Sequence, residues 1–293
     1  MIEVRVDSHL HVPAGKLTQR QRDSLENMLT IPNPDKDRAA REHVRGWGLM
    51  PDNIELWDSS RHGLDILTPR GIADRLEDIL KEEVVWIDAR ARADISTEEW
   101  SQVPVRDYQE VAVQKMLSFE QGVYEAPAGS GKTVAALEMI RRASQRTLVI
   151  VDKTNIAEQW RERSRSYLGF TPGLIGDGVW DETEVFDIAL QQTLWSRRDS
   201  LGEWWGSFGL VVLDECHHVP AGTFYDVIQR FPAYYRFGVS ATPDKQAGRE
   251  HLVRCSLGPT FHETDRETLV AAGVIRKPQV HFIKTGFTYQ FWP

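Results

Sequence analysis

Beyond residue 100 the chain alternates between short apolar runs and segments with helical spacing. Val123–Glu125, Thr147–Val151, Phe186–Ala189, Leu210–Leu213 and Phe237–Val239 are brief and rich in β-branched or aromatic residues, the pattern of strands buried on both faces. Between them, Thr133–Arg142 carries Ala135, Ala136, Met139 and Ile140 on one face, and Ile156–Tyr167 repeats the helical period. Strands alternating with helices predict an α/β fold with a mainly parallel sheet covered on both sides. Ligands of such sheets bind beyond the carboxyl ends of the strands.

The first hundred residues read differently. Gln19–Leu29 has the spacing of a helix. Thr68–Lys81 predicts a second, with Thr68 as cap, Pro69 at the first helical position and Ile72, Leu76 and Ile79 on one face. Val84–Ile87 reads as a strand, and Ile31–Asp37, with two prolines, as a turn or loop. The polar stretch Ala89–Gln102 marks a boundary. The organisation expected is a small α+β accessory domain at 1–98 and an α/β lobe at 99–280. There is no internal repeat and no low-complexity tract.

Composition narrows the class. With 293 residues, 41% hydrophobic and 27% charged, the chain is globular and long enough for two cores. Two cysteines, Cys216 and Cys255, exclude a disulfide scaffold and fit a reducing compartment, the cytoplasm of a cell or of a phage-infected host. No run approaches the ~20 apolar residues of a membrane helix, and the charged N-terminus lacks a signal peptide's apolar stretch. A net charge of -8 excludes a uniformly basic coat for nucleic acid, but not a local basic track. Lys16–Arg45, with seven Lys/Arg against five Asp/Glu, is closer to an ordinary solvated face than to such a track.

Two segments carry chemistry. The first, Ala126–Thr133 (APAGSGKT), follows a strand and opens a helix. Gly129 and Gly131 let the backbone aim several N–H groups, with those of Ala128 and Ser130, at one anion, and the helix adds its positive end. Lys132 is spaced to reach β- and γ-phosphates, and Thr133 to set its hydroxyl on Mg²⁺. Ala126 stands where the strict phosphate-loop pattern has Gly. The second segment is Leu210–His218, an apolar strand running into Asp214 and Glu215. Asp214 can hold Mg²⁺ and Glu215 can orient or deprotonate an attacking water. Cys216, His217 and His218 lie close together, but a structural zinc needs four ligands in spaced pairs and no second pair exists. Cys216 reads instead as a spacer in a buried strand end. Asp7–His11 (DSHLH) looks like the metal pair of amidohydrolases, yet His9 and His11 alone are an incomplete ligand set.

Arg106-Asp-Tyr-Gln109, the phosphate loop, Asp-Glu-Cys-His at 214–217 and Ser240-Ala241-Thr242, in that order, resemble helicase superfamily 2. Within it the chain is most similar to the XPB/UvsW-like DNA helicases and to type III restriction helicase subunits, over about residues 100–290. The resemblance implies a RecA-like P-loop NTPase lobe that uses ATP and Mg²⁺ on DNA. Gln109 matches the family's adenine-reading glutamine and Arg106 its neighbouring nucleotide contact. His217, Ser240, Ala241 and Thr242 match segments that couple ATP to nucleic acid. Lys153 and Thr154 match a backbone-contacting segment in which relatives often have Pro-Thr where this chain has Asp152-Lys153. Gln191, Gln192 and Thr193 occupy the position of another, and read equally well as a polar loop. Family members have a second RecA-like lobe. Here Leu269–Gly273 and a strand-like Val280–Lys284 resemble the link towards it, with 281–293 as its start, so a second lobe in cis or trans is expected. Two further readings remain: the motor lobe of a restriction or phage-defence complex, and a module that binds ATP or DNA without turnover. The accessory domain carries no motif of its own. Trp47 and Trp57 suit base stacking or, as its largest apolar residues, its core.

Overall fold

The computed structural model describes residues 1–60, 62–216, 221–241 and 249–276. It contains two main sheets. The first joins β1 (Ile2–Val6), β2 (His9–Pro13), β5 (Asp58–Ser59), β6 (Asp65–Pro69) and β7 (Val84–Asp88) in the order β5-β6-β2-β1-β7. Its pairings are antiparallel except β1 with β7. Helix α1 (Gln19–Leu29) is bounded as its periodicity predicts. Thr18 caps it, accepting from Gln21 N while the Gln21 side chain accepts from Thr18 N. A two-stranded ribbon, β3 (Thr30–Pro32) with β4 (Asn53–Glu55), and helix α2 (Pro34–Arg41) complete this part.

Two expectations fail here for local reasons. The Ile31–Asp37 turn is instead the end of β3 followed by the start of α2: Pro32 closes a strand and Pro34 sits at the first helical position, where its missing N–H costs nothing. The Thr68–Lys81 helix is instead the end of β6, a 3₁₀ segment at Arg70–Arg75 and a short α3 (Leu76–Leu80). Ile72 and Leu76 are still buried, and Ile79 packs against the core.

The second sheet follows the predicted alternation. Its strands are β8 (Gln121–Glu125), β9 (Thr147–Val151), β10 (Gly173–Gly176), β11 (Val179–Asp181), β12 (Phe186–Leu190), β13 (Leu210–Asp214), β14 (Tyr235–Ser240) and β15 (Thr260–Glu263), in the order β11-β10-β12-β9-β13-β14-β8-β15. All pairings are parallel except β10 with β11. Helices α4 (Asp107–Phe119), α5 (Lys132–Ala143) and α6 (Thr154–Leu168) alternate with the first of these strands, followed by α7 (Gln191–Arg197), α8 (Ala221–Ile228), α9 (Arg249–Leu257) and α10 (Arg266–Ala271). Alternate residues of β9 enter different cores. Val149 and Val151 join a cluster with Ala135, Met139 and Trp160, whereas Leu148 and Ile150 join one that continues through Val227, Ile228 and Leu252 into Val4, Leu10 and Leu29 of the N-terminal part. The N-terminal sheet thus helps to cover one face of the lobe. Trp57 packs against this shared core, while Trp47 is exposed.

Two fully buried arginines cross the seam. Arg70 donates to the carbonyls of Asp7, Ala233 and Tyr234 and to Gln121 Oε1. Arg236 donates to the carbonyls of Ser8, Phe231 and Ser256. Burial pulls both guanidinium pKa values down, Arg236 to about 9, so it still carries its charge at neutral pH. The strap between the two parts joins in, with Ala91 bridging to Ala233. Beside this, the 3₁₀ segment meets α9 backbone to backbone: a Cβ on Gly71 would lie 2.2 Å from Cys255 O and 2.4 Å from Arg254 O.

Gly71→Ala is therefore expected to lower stability by about 2–3 kcal/mol, because neither backbone can retreat without opening the seam. Gly15→Ala, with nothing within 4 Å of the added carbon, should stay within about 0.5 kcal/mol of wild type. Chemical denaturation measures both, and equal losses would show that the seam is not tightly packed.

Candidate nucleotide site

The chemistry collects at the carboxyl edge of the parallel sheet. From β12 to β8 the edge carries in turn Gln191–Thr193, Asp152–Thr154, Asp214–Glu215, Ser240–Ala241 and the loop Ala126–Gly131. The loop turns into α5 with Gly129 at φ 83° and Gly131 at φ 81°, left-handed values that glycine adopts without strain. Ala126 N donates to Ser240 O at 3.0 Å, so the loop starts against the end of β14. Ser130 is buried, and its Oγ has no partner among the described residues.

Lys132 Nζ donates to Ala126 O at 3.1 Å and lies 3.7 Å from Glu215 Oε1. Glu215 Oε2 accepts from Ala241 N at 3.2 Å. One carboxylate therefore touches the phosphate-loop lysine on one side and the Ser240–Ala241 segment on the other. Glu215 holds a left-handed backbone at φ 46°, an uncommon state for a residue with a side chain. Burial raises the pKa of the neighbouring Asp214, against the hydrogen bond from Trp160 and the charge of Lys132, which lower it. Asp214 Oδ2 accepts from Trp160 Nε1 at 2.6 Å, and Oδ1 from Glu215 N at 3.0 Å. Thr133 Oγ1 accepts from Arg163 at 2.7 Å. A threonine hydroxyl and an aspartate carboxylate are hard oxygen donors of the kind Mg²⁺ takes, so the residues present fit the ion.

The Arg106–Gln109 segment opens α4 beneath the loop. Gln109 is buried; its amide donates to the carbonyls of Ser130 and Gly131, and its Oε1 accepts from Arg106 N. Tyr108 OH donates to Ser130 O at 2.7 Å, and Arg106 to Tyr108 Oη at 3.3 Å. The glutamine matched to adenine reading thus also fastens the phosphate loop. A Cβ on Gly131 would fall 2.4 Å from Gln109 Nε2, a second demand for glycine there.

The remaining sites are less closely joined. Lys153 is exposed and lies 3.6 Å from Asp152, and Thr154 begins α6. Gln191 is buried in the first turn of α7, with Gln192 exposed and Thr193 half-buried. Leu190 pairs with Val151, so the two segments leave neighbouring strands at one edge. His217, His218, Thr242, Val280–Lys284 and the segment 281–293 lie outside the described residues. Cys216 is buried against Gly238, and burial raises its pKa. His11 bonds to Asp7 at 2.9 Å, and burial lowers the His9 pKa to about 4. Among the described residues no group of three or more His, Cys, Asp or Glu is placed to hold a metal, and no helix is long and apolar enough to cross a membrane. Trp160, Arg163 and Tyr108 were not visible as site residues in the sequence, because an indole, a guanidinium and a phenol on helices read as packing or surface.

Gln109→Ala should raise amide hydrogen exchange across 126–131 and cost about 1–2 kcal/mol, since the loop loses the two bonds by which Gln109 ties Ser130 and Gly131 to α4. Mass-spectrometric exchange measures the first and denaturation the second; an unchanged exchange rate would show that the loop holds itself.

Residues 102–245 match the family described as Type III restriction enzyme, res subunit. The DNA 3'-5' translocase XPB2 of Sulfurisphaera tokodaii is 33% identical over 167 residues, 57% of this chain and 37% of the relative. The DNA 3'-5' helicase XPB of Kineococcus radiotolerans is 29% identical over 198 residues, 65% of this chain and 35% of the relative. The chain thus spans little more than a third of the length of either. The UvsW helicase structure from bacteriophage T4 superposes with a TM-score of 0.64 at 18% identity, covering 88% of this chain and 98% of that one. That coverage reaches past the lobe into the N-terminal sheet. In fold the chain resembles the UvsW structure, and in sequence residues 102–245 are similar to type III restriction res subunits and to the XPB helicases and translocases.

Proposed function

We propose that the chain is the ATP-binding lobe, with an accessory domain, of an ATP-driven DNA helicase or translocase acting in repair, recombination or phage DNA metabolism. The observation that carries this reading is the placement of Glu215 between Lys132 and Ala241 N, which joins the phosphate loop to the segment leaving β14. The names of the relatives, translocase and helicase acting 3'-5' on DNA, support the substrate.

In this reading Ala128–Thr133 cradle the phosphates, and Lys132 neutralises the β- and γ-oxygens. Thr133 and Asp214 hold Mg²⁺, with Trp160 fixing the carboxylate, and Arg106 and Gln109 border the base. When bound, the Mg²⁺–ATP pair supplies the phosphoanhydride and the charge that steadies its leaving group. Glu215 orients the attacking water and takes its proton, and its link to Ala241, with Ser240, Thr242 and His217, passes the nucleotide state to DNA. Lys153, Thr154, Gln192 and Thr193 contact the DNA backbone. Residues 1–98 form the accessory domain, 99–280 the lobe, and 281–293 start the link to a second RecA-like lobe supplied in cis or in trans. The setting is the cytoplasm, of a host if the gene is phage-borne.

The match to a restriction res subunit favours one second reading, the motor lobe of a restriction or phage-defence complex with the same ATP chemistry. A nuclease or methyltransferase partner would distinguish it. A lobe that binds without turnover is disfavoured by the presence of Lys132, Asp214 and Glu215 together at one edge.

The chain should bind a fluorescent ATP analogue with Mg²⁺, and Lys132→Ala should weaken that binding at least about tenfold. Hydrolysis, followed with and without single- and double-stranded DNA, should be slow, rise with DNA and vanish in Lys132→Ala. No nucleotide binding by the wild type would overturn the reading. Trp160→Phe keeps an aromatic ring in the core, at the cost of a small void, and removes the bond to Asp214. It should lower turnover about tenfold and leave nucleotide affinity within about twofold; unaltered turnover would remove Trp160 from the mechanism.

A further inference from the structure

Helix α6 reaches the site twice. Trp160 and Arg163 stand one helical turn apart, and each is bonded to one of the two oxygen groups suited to a divalent cation: the indole to Asp214, the guanidinium to Thr133. The two contacts differ in kind. Trp160 is a buried neutral donor that steadies a carboxylate. Arg163 is a largely exposed cation whose tip reaches a buried hydroxyl, and it forms no ion pair with a carboxylate among the described residues.

A hydroxyl oxygen has two lone pairs, and a guanidinium N–H 2.7 Å away uses one of them. It also brings a full positive charge within a few ångströms of any metal bound to that oxygen. Two cations at one oxygen repel strongly where burial lowers the effective dielectric constant. A guanidinium without a carboxylate partner is equally suited to grip phosphate oxygens. Its exposed stem allows it to leave without disturbing a core.

We propose that Arg163 is a resident cation of the phosphate site: it holds Thr133 Oγ1, steadies the phosphates of nucleotide that arrives without metal, and yields the hydroxyl when a divalent cation binds. The inference rests on the nucleotide reading above. It makes Arg163 a positioning residue and sets how much Mg²⁺ the site demands. An arginine on the surface of a helix would otherwise be assigned to solvent.

The experiment compares wild type, Arg163→Gln and Arg163→Lys by fluorescence titration with an N-methylanthraniloyl adenosine nucleotide, once in EDTA and once across a Mg²⁺ series. Lys132→Ala serves as the non-binding control. Arg163→Gln should bind the nucleotide about tenfold more weakly in EDTA and reach half-saturation at a several-fold lower Mg²⁺ concentration. Arg163→Lys should recover most of the EDTA affinity, because it restores the charge. Melting temperatures should match wild type, since the side chain is exposed. If Arg163→Gln matches wild type in both series while Lys132→Ala fails to bind, the nucleotide reading stands and this inference is overturned. A uniform loss of affinity that ignores Mg²⁺ also overturns it, by making Arg163 a plain phosphate contact. No binding by wild type removes the nucleotide reading, and this inference falls with it.

Discussion

A parallel sheet can satisfy its backbone only by covering both of its faces, and that constraint organises this molecule. Once α4, α5 and α6 close one face and the N-terminal sheet helps to close the other, no room for chemistry is left on either. Polar residues are expelled to the strand ends, where backbone N–H groups and helix dipoles point the same way. The carboxyl edge gathers the phosphate loop, the acidic pair and Ser240–Ala241 for that reason, although the loop and Ser240 lie more than a hundred residues apart in sequence. Glu215 then ties the ends of β13 and β14 together through a strained backbone, and a loop held this way is set before any ligand arrives.

The lobe was legible because its signals are local. Thr147–Val151 is buried at every position and paired on both sides, so its apolar run marks its ends well. The glycines of the phosphate loop announce a turn wherever they stand. What escaped was whatever depends on distant partners. β10 is bounded by glycines and β15 ends in His262 and Glu263, so neither has a strand's usual composition. Thr68–Lys81 has helical spacing, but Arg70 turns into the seam and Gly71 meets the carbonyls of α9, which replaces the first turns by 3₁₀ geometry. In the site, the phosphate loop and the Asp-Glu pair could be read directly. Trp160, Arg163 and Tyr108 could not, since each acts through a partner at least twenty-two residues away.

The seam shows how a small region can dock firmly without a large apolar surface of its own. Arg70 and Arg236 offer several N–H donors in fixed planes, and the carbonyls at turns and strand ends supply acceptors that need them. The aliphatic stems fill space while the heads satisfy backbone, although Arg236 Nε itself stays buried without a partner among the described residues. Substituting either arginine would leave several buried carbonyls without donors at once. Tyr225, which donates to Leu56 O, and His251, which lies 3.1 Å from Met28 O, extend the same device along α8 and α9.

Both arginines close on the amino end of one strand. Arg70 grips Ala233 and Tyr234, Arg236 belongs to β14 itself, and the strap at Ala91 pairs with Ala233. The other end of that strand is Ser240, against the phosphate loop. From Arg236 to Ser240 is four residues, about 13 Å of extended chain. An extended strand locked between two neighbours hardly stretches, so β14 is a strut with one foot in the N-terminal region and the other beside the loop Ala126–Gly131. A load applied to the N-terminal sheet would arrive at Ser240 as a displacement rather than being absorbed on the way.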